Sequence, residues 1–303
     1  MKKVFSVDTD FINSRFDKWF KKKVCNIPQS LIEKNLRKGN IKVNYKKTLS
    51  NYRLQKNDQV FVRNFNFISK KIDKKYEKYK ATKKELSSLS NLIIENNENF
   101  VVINKPAGIA VQSGTKSRRN ILDILNRRSE FEGAKPYAVH RIDKETTGIL
   151  VVAKNRKYAQ LFTSLFRIRK IYKTYLGIAL GQFLKKKGTL TDEIFYYEGE
   201  KKIKTKAITN FTVIDSNGNY SLLKLNPITG RKHQLRKQLL MHGHPILGDS
   251  KYNILENIPK KKNTLMLHAF KVNFSINDQK YSYTAKLPSA FENTLKKKYL
   301  KIF

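Results

Sequence analysis

The stretch HRIDKET at 140–146 is the part of this 303-residue chain where residue types and spacing most clearly suggest chemistry. It places Asp143 between the cations Arg141 and Lys144, shortly before the apolar run ILVVA at 149–153. Cations beside a carboxylate favour its ionised form, and a buried strand behind the loop would hold it rigidly, as a nucleophile requires. We predict that Asp143 is catalytic, although a lone loop aspartate is more often a turn former or a helix cap.

A tyrosine in the segment KTYL at 173–176 is the second candidate. Strand alternation places Lys173 and Tyr175 on one face of the predicted strand. A strand tyrosine is usually part of the core, but an aromatic ring beside a nucleic-acid site stacks on a base. Tyr175 is therefore a candidate for contact with a nucleobase.

The third candidate segment is NPITGRKHQLR at 226–236, where a strand ends at a Pro/Gly turn and a helix begins. His233 and Arg236 are three residues apart and share a face of that helix. Helix starts present backbone N–H groups that bind phosphate or carboxylate. Arg236 lies on a mostly apolar helix and needs an anion if it is buried. Asp143 is the predicted partner.

His242 and His244 lie close to His233 in the sequence and raise the alternative of a metal-dependent nuclease. Zinc needs three or four convergent ligands, and carboxylates are scarce here. The glycines and proline around the two histidines favour a tight structured loop, which we predict that Asp249 and Tyr252 hold in place. No metal site is therefore predicted.

Charge identifies the class of partner. Lys and Arg number 63 against 24 Asp and Glu, which gives a net charge of +39. Such an excess attracts polyanions, so RNA or DNA is the predicted partner. An AT-rich genome would raise the lysine content but would not by itself remove the acids. Hydrophobic residues make up 40%, enough for a core, and the single Cys25 excludes an intramolecular disulfide and a cysteine metal cluster.

Several absences narrow the class further. The sequence has no glycine-rich phosphate loop and no dinucleotide fingerprint. It has no apolar run long enough to span a membrane and no signal peptide. These features predict a cytoplasmic location and no membrane association.

The pattern along the chain divides it into three blocks. Residues 1–63 predict a small α+β module with a helix over 12–20, a helix from Pro28 to Gly39 and strands at 41–45 and 60–62. Residues 64–90 predict an extended basic linker. Residues 91–303 are predicted to form the main domain. The second helix of the first block and its exit carry a basic surface that includes Lys34, Arg37 and Lys38.

In the third block, strands and helices do not alternate regularly, because several predicted strands follow one another without a helix between them. Predicted strands lie at 100–104, 149–153, 172–179, 207–213, 220–225 and 269–274, with helical patterns at 121–125 and 158–165. This order predicts an α+β domain with a mostly antiparallel mixed sheet flanked by helices, and not a doubly wound fold.

The motifs together resemble a known family. The segments HRID at 140–143, KTY at 173–175, TGRKHQLR at 229–236, GHPILGD at 243–249 and LHA at 267–269 resemble RluA-type pseudouridine synthases, in the same order. In the first block, RFD at 15–17, IPQS at 27–30 and RKG at 37–39 resemble an S4-type RNA-binding domain, most like the large-subunit rRNA synthase C subgroup. The match spans about 200 residues in several separate motifs.

The resemblance implies the pseudouridine synthase fold and isomerisation of uridine to pseudouridine in RNA, most specifically 23S rRNA, with no cofactor and no metal. It implies that Asp143 is the essential carboxylate, that Arg236 pairs with it and that Tyr175 stacks on a flipped base. Arg141 would fill the gap that the base leaves, and Leu267 would line the base pocket. The remaining predicted RNA contacts are His140, Arg231, His233, Lys34, Arg37 and Lys38.

Departures from the family pattern leave these predicted residues intact. The chain has Ile142, Lys144 and Glu145 where Leu, Arg and Asp are common. Lys232 replaces a small hydroxyl residue and Lys237 replaces a valine. The alternative to catalysis is a noncatalytic S4-type RNA-binding or ribosome-assembly protein, which the charge alone would permit. We also predict a monomer, because no amphipathic stretch lacks a partner.

Overall fold

The computed structural model describes residues 2–63, 90–113, 119–198, 201–253 and 264–302. The chain forms two compact units, residues 1–77 and 78–303. The predicted linker over 64–90 lies outside the described residues except for Ser90, so its bounds stay a prediction. In the described ranges no helix is long and apolar enough to cross a membrane.

The first unit is a three-stranded antiparallel sheet with helices packed on it, in the order β1-β3-β2. Ile32 and Leu36 on the second helix pack with Phe16, Trp19 and Phe20 in one buried cluster. The elements are β1 Lys2–Ser6, α1 Phe16–Trp19 continued by a π turn at Phe20–Val24, α2 Gln29–Arg37, β2 Ile41–Val43 and β3 Gln59–Arg63.

Two predictions for this unit are wrong in detail. Ile12 lies outside the first helix and is 39% exposed, because Asn13 adopts a φ of 61° and turns the chain before Phe16. Tyr45 was predicted in the strand with Ile41 and Val43, but positive φ at Tyr45 ends the strand in a turn. Strand β1 was not predicted, because its side chains are largely exposed and show no apolar alternation.

The second unit is built on a ten-stranded sheet with the order β4-β5-β7-β12-β8-β11-β10-β9, in which β6 also pairs with β7 and β13 with β12. The β7–β12 pairing is parallel and the other described pairings are antiparallel. Its strands are β4 Ile93–Asn96, β5 Phe100–Lys105, β6 Tyr137–Ala138, β7 Thr147–Ala153, β8 Tyr172–Leu180, β9 Lys187–Glu198, β10 Lys201–Ser216, β11 Tyr220–Pro227, β12 Leu267–Ile276 and β13 Gln279–Thr284. Its helices are α3 Ile121–Leu125, α4 Arg156–Arg167, α5 Gln234–Met241 and α6 Ser289–Lys297.

The predicted α+β class with a mostly antiparallel mixed sheet is confirmed. Each strand predicted for this unit is present, and each extends beyond its predicted bounds at one or both ends. The sequence missed β4, β6, β9, β13 and α6. Of these, β9 and β13 are exposed over much of their length. Their residues therefore show little apolar alternation, and pairing with the neighbouring strand stabilises them.

Strand β7 lies at the centre of this unit and is buried along its whole length. Leu150 and Val152 point into one apolar cluster, whereas Ile149 and Val151 point into the cluster on the opposite face. Helix α3 belongs to the first cluster and Phe162 of α4 to the second. A strand covered on both faces gives the loop before it, which carries Asp143, a rigid base.

Gly148 fixes where β7 meets β12. Its φ is +103°, and a Cβ there would lie 2.3 Å from the carbonyl oxygen of Ala269. Beside it, the Thr147 hydroxyl lies 2.8 Å from His268 Nδ1. Burial lowers the pKa of His268 to about 4, so this ring is neutral at neutral pH. Because a side chain at Gly148 would clash with Ala269, the close approach of β7 and β12 depends on glycine at this position.

Replacing Gly148 with alanine should lower the free energy of unfolding by about 3 kcal/mol or more, because both the clash and the positive φ oppose a Cβ. Circular dichroism in a urea titration measures this. Gly230→Ala is the control, since its Cβ would meet nothing within 4 Å. Equal stability of the two variants would contradict the argument.

Candidate active site

The loop that carries Asp143 is attached to the scaffold at several points. Ile142 is 8% exposed and inserts into the apolar cluster beside β7. The backbone N–H of Val151 donates to His140 Nε2 at 2.8 Å, and the His140 ring stacks on Phe166. Burial, aided by the charge of Lys173, lowers the pKa of His140 to about 3. The neutral ring is thus a fixed acceptor that holds the start of the loop to β7.

Lys105, at the end of β5, holds the other side of the loop. Its side chain is fully buried, and its ammonium group donates to the carbonyl oxygens of Pro106, Ile109 and Lys144 at 2.7–3.0 Å. Burial lowers the pKa of Lys105 to about 7, while the charges of Glu145 and Asp143 oppose this. Three carbonyl acceptors use all three donors of the ammonium group. Lys105 therefore links the Asp143 loop to the segment after β5.

Helix α5 and the residue before it supply two groups to the Asp143 carboxylate. Arg236 Nη1 lies 3.2 Å from Asp143 Oδ2, and His233 Nε2 lies 3.7 Å from Oδ1. His233 precedes the helix with a φ of 55°, a left-handed conformation. The sequence predicted that His233 and Arg236 share a helix face. The structure brings both to one carboxylate, although His233 stands just outside the helix.

Arg236 is held by a second carboxylate. Its Nε and Nη2 donate to the two oxygens of Asp249 at 2.6 and 2.7 Å. Burial would lower the pKa of Arg236, but Asp249 and Asp143 outweigh it and raise that pKa. Burial would likewise raise the pKa of Asp249, but hydrogen bonds from Arg236 and from the backbone of Tyr252 and Lys251 lower it. Bidentate pairing fixes the plane of the guanidinium and directs Nη1 at Asp143.

Tyr252 closes this arrangement. Its ring centroid lies 5.0 Å from the Arg236 guanidinium carbon, and its hydroxyl lies 2.8 Å from His233 Nδ1. Burial lowers the pKa of His233 although the Asp143 charge opposes this. At neutral pH, Arg236 is therefore the charged partner of Asp143, and His233 is a neutral neighbour.

Tyr175 lies on β8 and packs against the clusters on both sides of it. Burial, together with the Asp143 charge, raises the pKa of Tyr175, so the phenol stays protonated at neutral pH. Tyr175 pairs with Ala269 across the sheet, and Leu267 pairs with Gly177. Leu267 is 3% exposed and belongs to the same apolar cluster. The aromatic ring of Tyr175 therefore lies within the electrostatic range of the Asp143 carboxylate, whose side chain is 24% exposed.

The other predicted contact residues have different surroundings. Arg141 is exposed on the Asp143 loop, and Arg231 is exposed with its Nε donating to the Lys206 carbonyl oxygen. Exposed side chains on α2 and at its end belong to the first unit: Lys34, Arg37 and Lys38. Their contact with RNA stays a prediction, as does that of His140.

The three histidines of the nuclease alternative have separate partners. His233 meets Tyr252, His242 Nε2 lies 3.0 Å from Asp192 Oδ1, and His244 Nδ1 lies 3.0 Å from the Leu180 carbonyl oxygen. Within the described ranges, no three His, Cys, Asp or Glu side chains converge as metal ligands do.

A buried hydrogen-bond network ties α5 to the hairpin of β9 and β10. Gln238 donates to Asp192 Oδ2 at 2.7 Å and accepts from the Thr209 hydroxyl at 2.7 Å. Gln234 donates to the same hydroxyl at 2.9 Å. Gln238 and Thr209 are fully buried, so directional bonds hold the helix that carries Arg236 to the hairpin.

Sequence reasoning missed three residues that shape the site. Asp249 holds its own loop as predicted, since its Oδ1 accepts from the backbone N–H groups of Lys251 and Tyr252, but its pairing with Arg236 was not predicted. The signal was present, since a buried arginine on an apolar helix needs more than one shared anion. Lys105 gave no signal, because a lysine that ends a strand usually reaches solvent. His268 lies in the LHA motif at 267–269, but no role was predicted for it.

Comparison with known proteins gives consistent matches. The sequence profile of a family described as RNA pseudouridylate synthase matches residues 99–241. A Rickettsia conorii protein named ribosomal large subunit pseudouridine synthase C is 34% identical over 296 residues, covering 94% of this chain and 97% of that protein. The protein of the same name from Haemophilus influenzae is 29% identical, covering 90% and 87%. The solved structure of human RNA pseudouridylate synthase domain containing 4 has a TM-score of 0.62 and 27% identity, covering 71% of this chain and 96% of that one.

Asp249→Asn should lower the free energy of unfolding by about 3 kcal/mol at pH 7, because it removes one partner of a buried ion pair. The pKa of Asp249 is lowered in the folded state. Its contribution is therefore fully present above its unfolded pKa and is lost as pH falls through the folded one. The difference between wild type and variant should shrink below about pH 4.

Urea titrations followed by circular dichroism measure this difference. Tryptophan fluorescence would not report on it, because the single tryptophan, Trp19, lies in the other unit. Glu193→Gln breaks an exposed ion pair with Lys204 and should change stability by less than about 0.5 kcal/mol. A difference for Asp249→Asn that stays constant from pH 7 to about pH 3 would show that its charge is not responsible.

Lys105→Met should loosen the Asp143 loop, because the carbonyl of Lys144 loses its ammonium donor. Hydrogen exchange of the peptide that covers 140–147 should become faster by about tenfold or more, equivalent to losing about 1.4 kcal/mol or more of local stability. Mass spectrometry measures it, with the exposed Lys280→Met as control. Unchanged exchange in Lys105→Met would refute the anchoring role.

Proposed function

The chain belongs to the RNA pseudouridylate synthase family, and we propose that it converts specific uridines of large-subunit (23S) rRNA to pseudouridine. The proposal of this RNA is supported by relatives named for the ribosomal large subunit, which match nearly the whole chain. The observation that carries the proposed chemistry is the Asp143–Arg236 pair beside Tyr175.

The reaction is an isomerisation, so it needs no co-reactant. The bond between N1 of uracil and C1′ of ribose breaks, the base rotates, and C5 bonds to C1′. The C5 proton is lost, and N1 carries a proton in the product. Asp143 acts on the flipped nucleotide by attack at the sugar, by attack at the base or through a glycal route. Each route needs an anionic carboxylate that reaches the substrate, and Asp143 is partly exposed.

The neighbouring side chains have separate parts in this proposal. Arg236 keeps Asp143 ionised and oriented, since its guanidinium is fixed by Asp249. Tyr175 stacks on the flipped uracil and assists proton movement at C5. The raised pKa of its phenol supports a neutral ring in this role. Leu267 lines the apolar side of the base pocket. Flipping a base out of a helix costs a few kcal/mol, which contacts elsewhere on the RNA offset.

RNA docking is assigned to the basic side chains. Arg141 occupies the gap that the flipped base leaves. His140, Arg231 and His233 lie around the loop and helix that carry Asp143 and Arg236. The first unit acts as an S4-type RNA-binding domain through Lys34, Arg37 and Lys38, which are exposed on one helix and its end. We further propose that the protein acts as a monomer in the cytoplasm and uses no cofactor. Activity after dialysis against a chelator would support the last of these.

Asp143→Asn should abolish isomerisation and preserve RNA binding, because phosphate contacts lie elsewhere. Unmodified large-subunit rRNA is incubated with protein and no added metal, and carbodiimide-modification primer extension then reports pseudouridine as new stops. Glu145→Gln is the matched control, an exposed carboxylate two residues away, and should act like wild type.

Stops that persist in Asp143→Asn would remove the assigned role of Asp143. Tight RNA binding by the wild type without any stops would favour the noncatalytic RNA-binding alternative.

A further inference from the structure

Three lysines surround the candidate site without belonging to it. Lys232, Lys237 and Lys251, here termed the lysine rim, each neighbour a site residue in sequence: His233, Arg236 and Tyr252 respectively. Lys232 and Lys251 are exposed, and Lys237 is half-buried. The Tyr252 and His233 rings lie 5.5 Å apart, centroid to centroid, and His233 Nε2 lies 3.7 Å from Asp143 Oδ1. The backbone positions of the three lysines are therefore close to Asp143.

The rim is partly preorganised. Lys237 Nζ donates to the carbonyl oxygen of Phe195 on β9 at 3.0 Å, which holds its ammonium group between α5 and the hairpin. Lys251 Nζ lies 5.4 Å from the ring centroid of Tyr252. Burial lowers the pKa of Lys237, and the charges of Lys251 and Lys232 lower it further. The same two charges lower the pKa of His233, which itself lies 3.7 Å from Asp143.

No carboxylate neutralises this cluster in the part of the chain that the structure describes. None of the three lysines forms an ion pair there, whereas the nearby carboxylates Asp143 and Asp249 are both bound to Arg236. Like charges held together without a counter-ion destabilise one another. An anion from outside the chain would remove this repulsion and gain charge-assisted hydrogen bonds.

We propose that the lysine rim is a binding subsite for the RNA backbone, which takes the phosphodiesters that flank the nucleotide bound at Asp143. The proposal rests on the proposed function for the identity of the polyanion. Ammonium groups fit a phosphate oxygen better than a base edge, because they recognise charge and not sequence, and Lys237 is also held in place by its backbone acceptor. The rim therefore contributes affinity and position, and specificity comes from elsewhere.

The test compares two triple variants of the full chain in an Asp143→Asn background. One replaces Lys232, Lys237 and Lys251 with methionine, which keeps the apolar stems. The control replaces three other exposed lysines of this unit in the same way: Lys280, Lys296 and Lys301. Both lose the same charge, so a difference between them isolates local contacts from the field of the whole chain. Binding to a single-stranded oligouridine RNA is measured across a range of salt concentrations.

The rim variant should bind about tenfold more weakly, and the slope of log K against log salt should fall by about 0.7 for each phosphate that the protein no longer neutralises. The control variant should weaken binding much less. Replacing the rim with three arginines should restore binding, since charge is kept. Equal weakening in the two methionine variants, or weakening that arginine does not reverse, would overturn the proposal.

The kinetics of pseudouridine formation are measured in a separate experiment. With Asp143 intact, the rim variant should show a higher KM for rRNA and an unchanged kcat. If the wild type forms no pseudouridine, the proposed function fails, while the binding comparison still decides whether the rim holds RNA.

Discussion

The buried ion pair between Arg236 and Asp249 is the interaction on which the site depends. A guanidinium on an otherwise apolar helix would be strongly destabilising without an anion. Asp249 takes two of its donor nitrogens with both carboxylate oxygens and leaves Nη1 free to face Asp143. The loop that ends at Asp249 thus sets the direction of the positive charge that reaches Asp143. A single shared carboxylate could not both hold the arginine and remain available to a substrate.

The sheet order explains how distant segments meet at this pair. Strands β7, β12 and β8 are neighbours, so the loop before β7, Leu267 on β12 and Tyr175 on β8 lie side by side. Gly148 allows β7 to approach β12 closely, and Lys105 ties the loop to the end of β5. The network around Gln238 fixes α5 to β9 and β10. Rigid elements therefore surround a carboxylate that is itself on a loop, which is how a scaffold keeps a reacting group in place.

Sequence patterns could predict the parts of this arrangement that depend on local chemistry. Alternation and apolar runs predicted β7 and β8, and the arginine on an apolar helix predicted an anionic partner. They could not predict which of two aspartates would hold Arg236, because that depends on how a loop folds back onto α5. They also missed Lys105, since only the tertiary structure places three carbonyl groups around its ammonium. Tyr45 shows the opposite error, in which alternation continued past a turn set by backbone conformation.

The charge distribution around Asp143 follows from the same constraint. Two unit charges of like sign 4 Å apart repel by about 4 kcal/mol at an effective dielectric constant of 20. RNA brings phosphates towards an anionic carboxylate, so nearby cations must offset that repulsion without neutralising Asp143 itself. Arg236 is fixed by Asp249 and serves Asp143, whereas Lys232, Lys237 and Lys251 have no described carboxylate partner. Because one cation is paired with the carboxylate and separate cations are left for the RNA backbone, the site can accept a polyanion and keep Asp143 ionised.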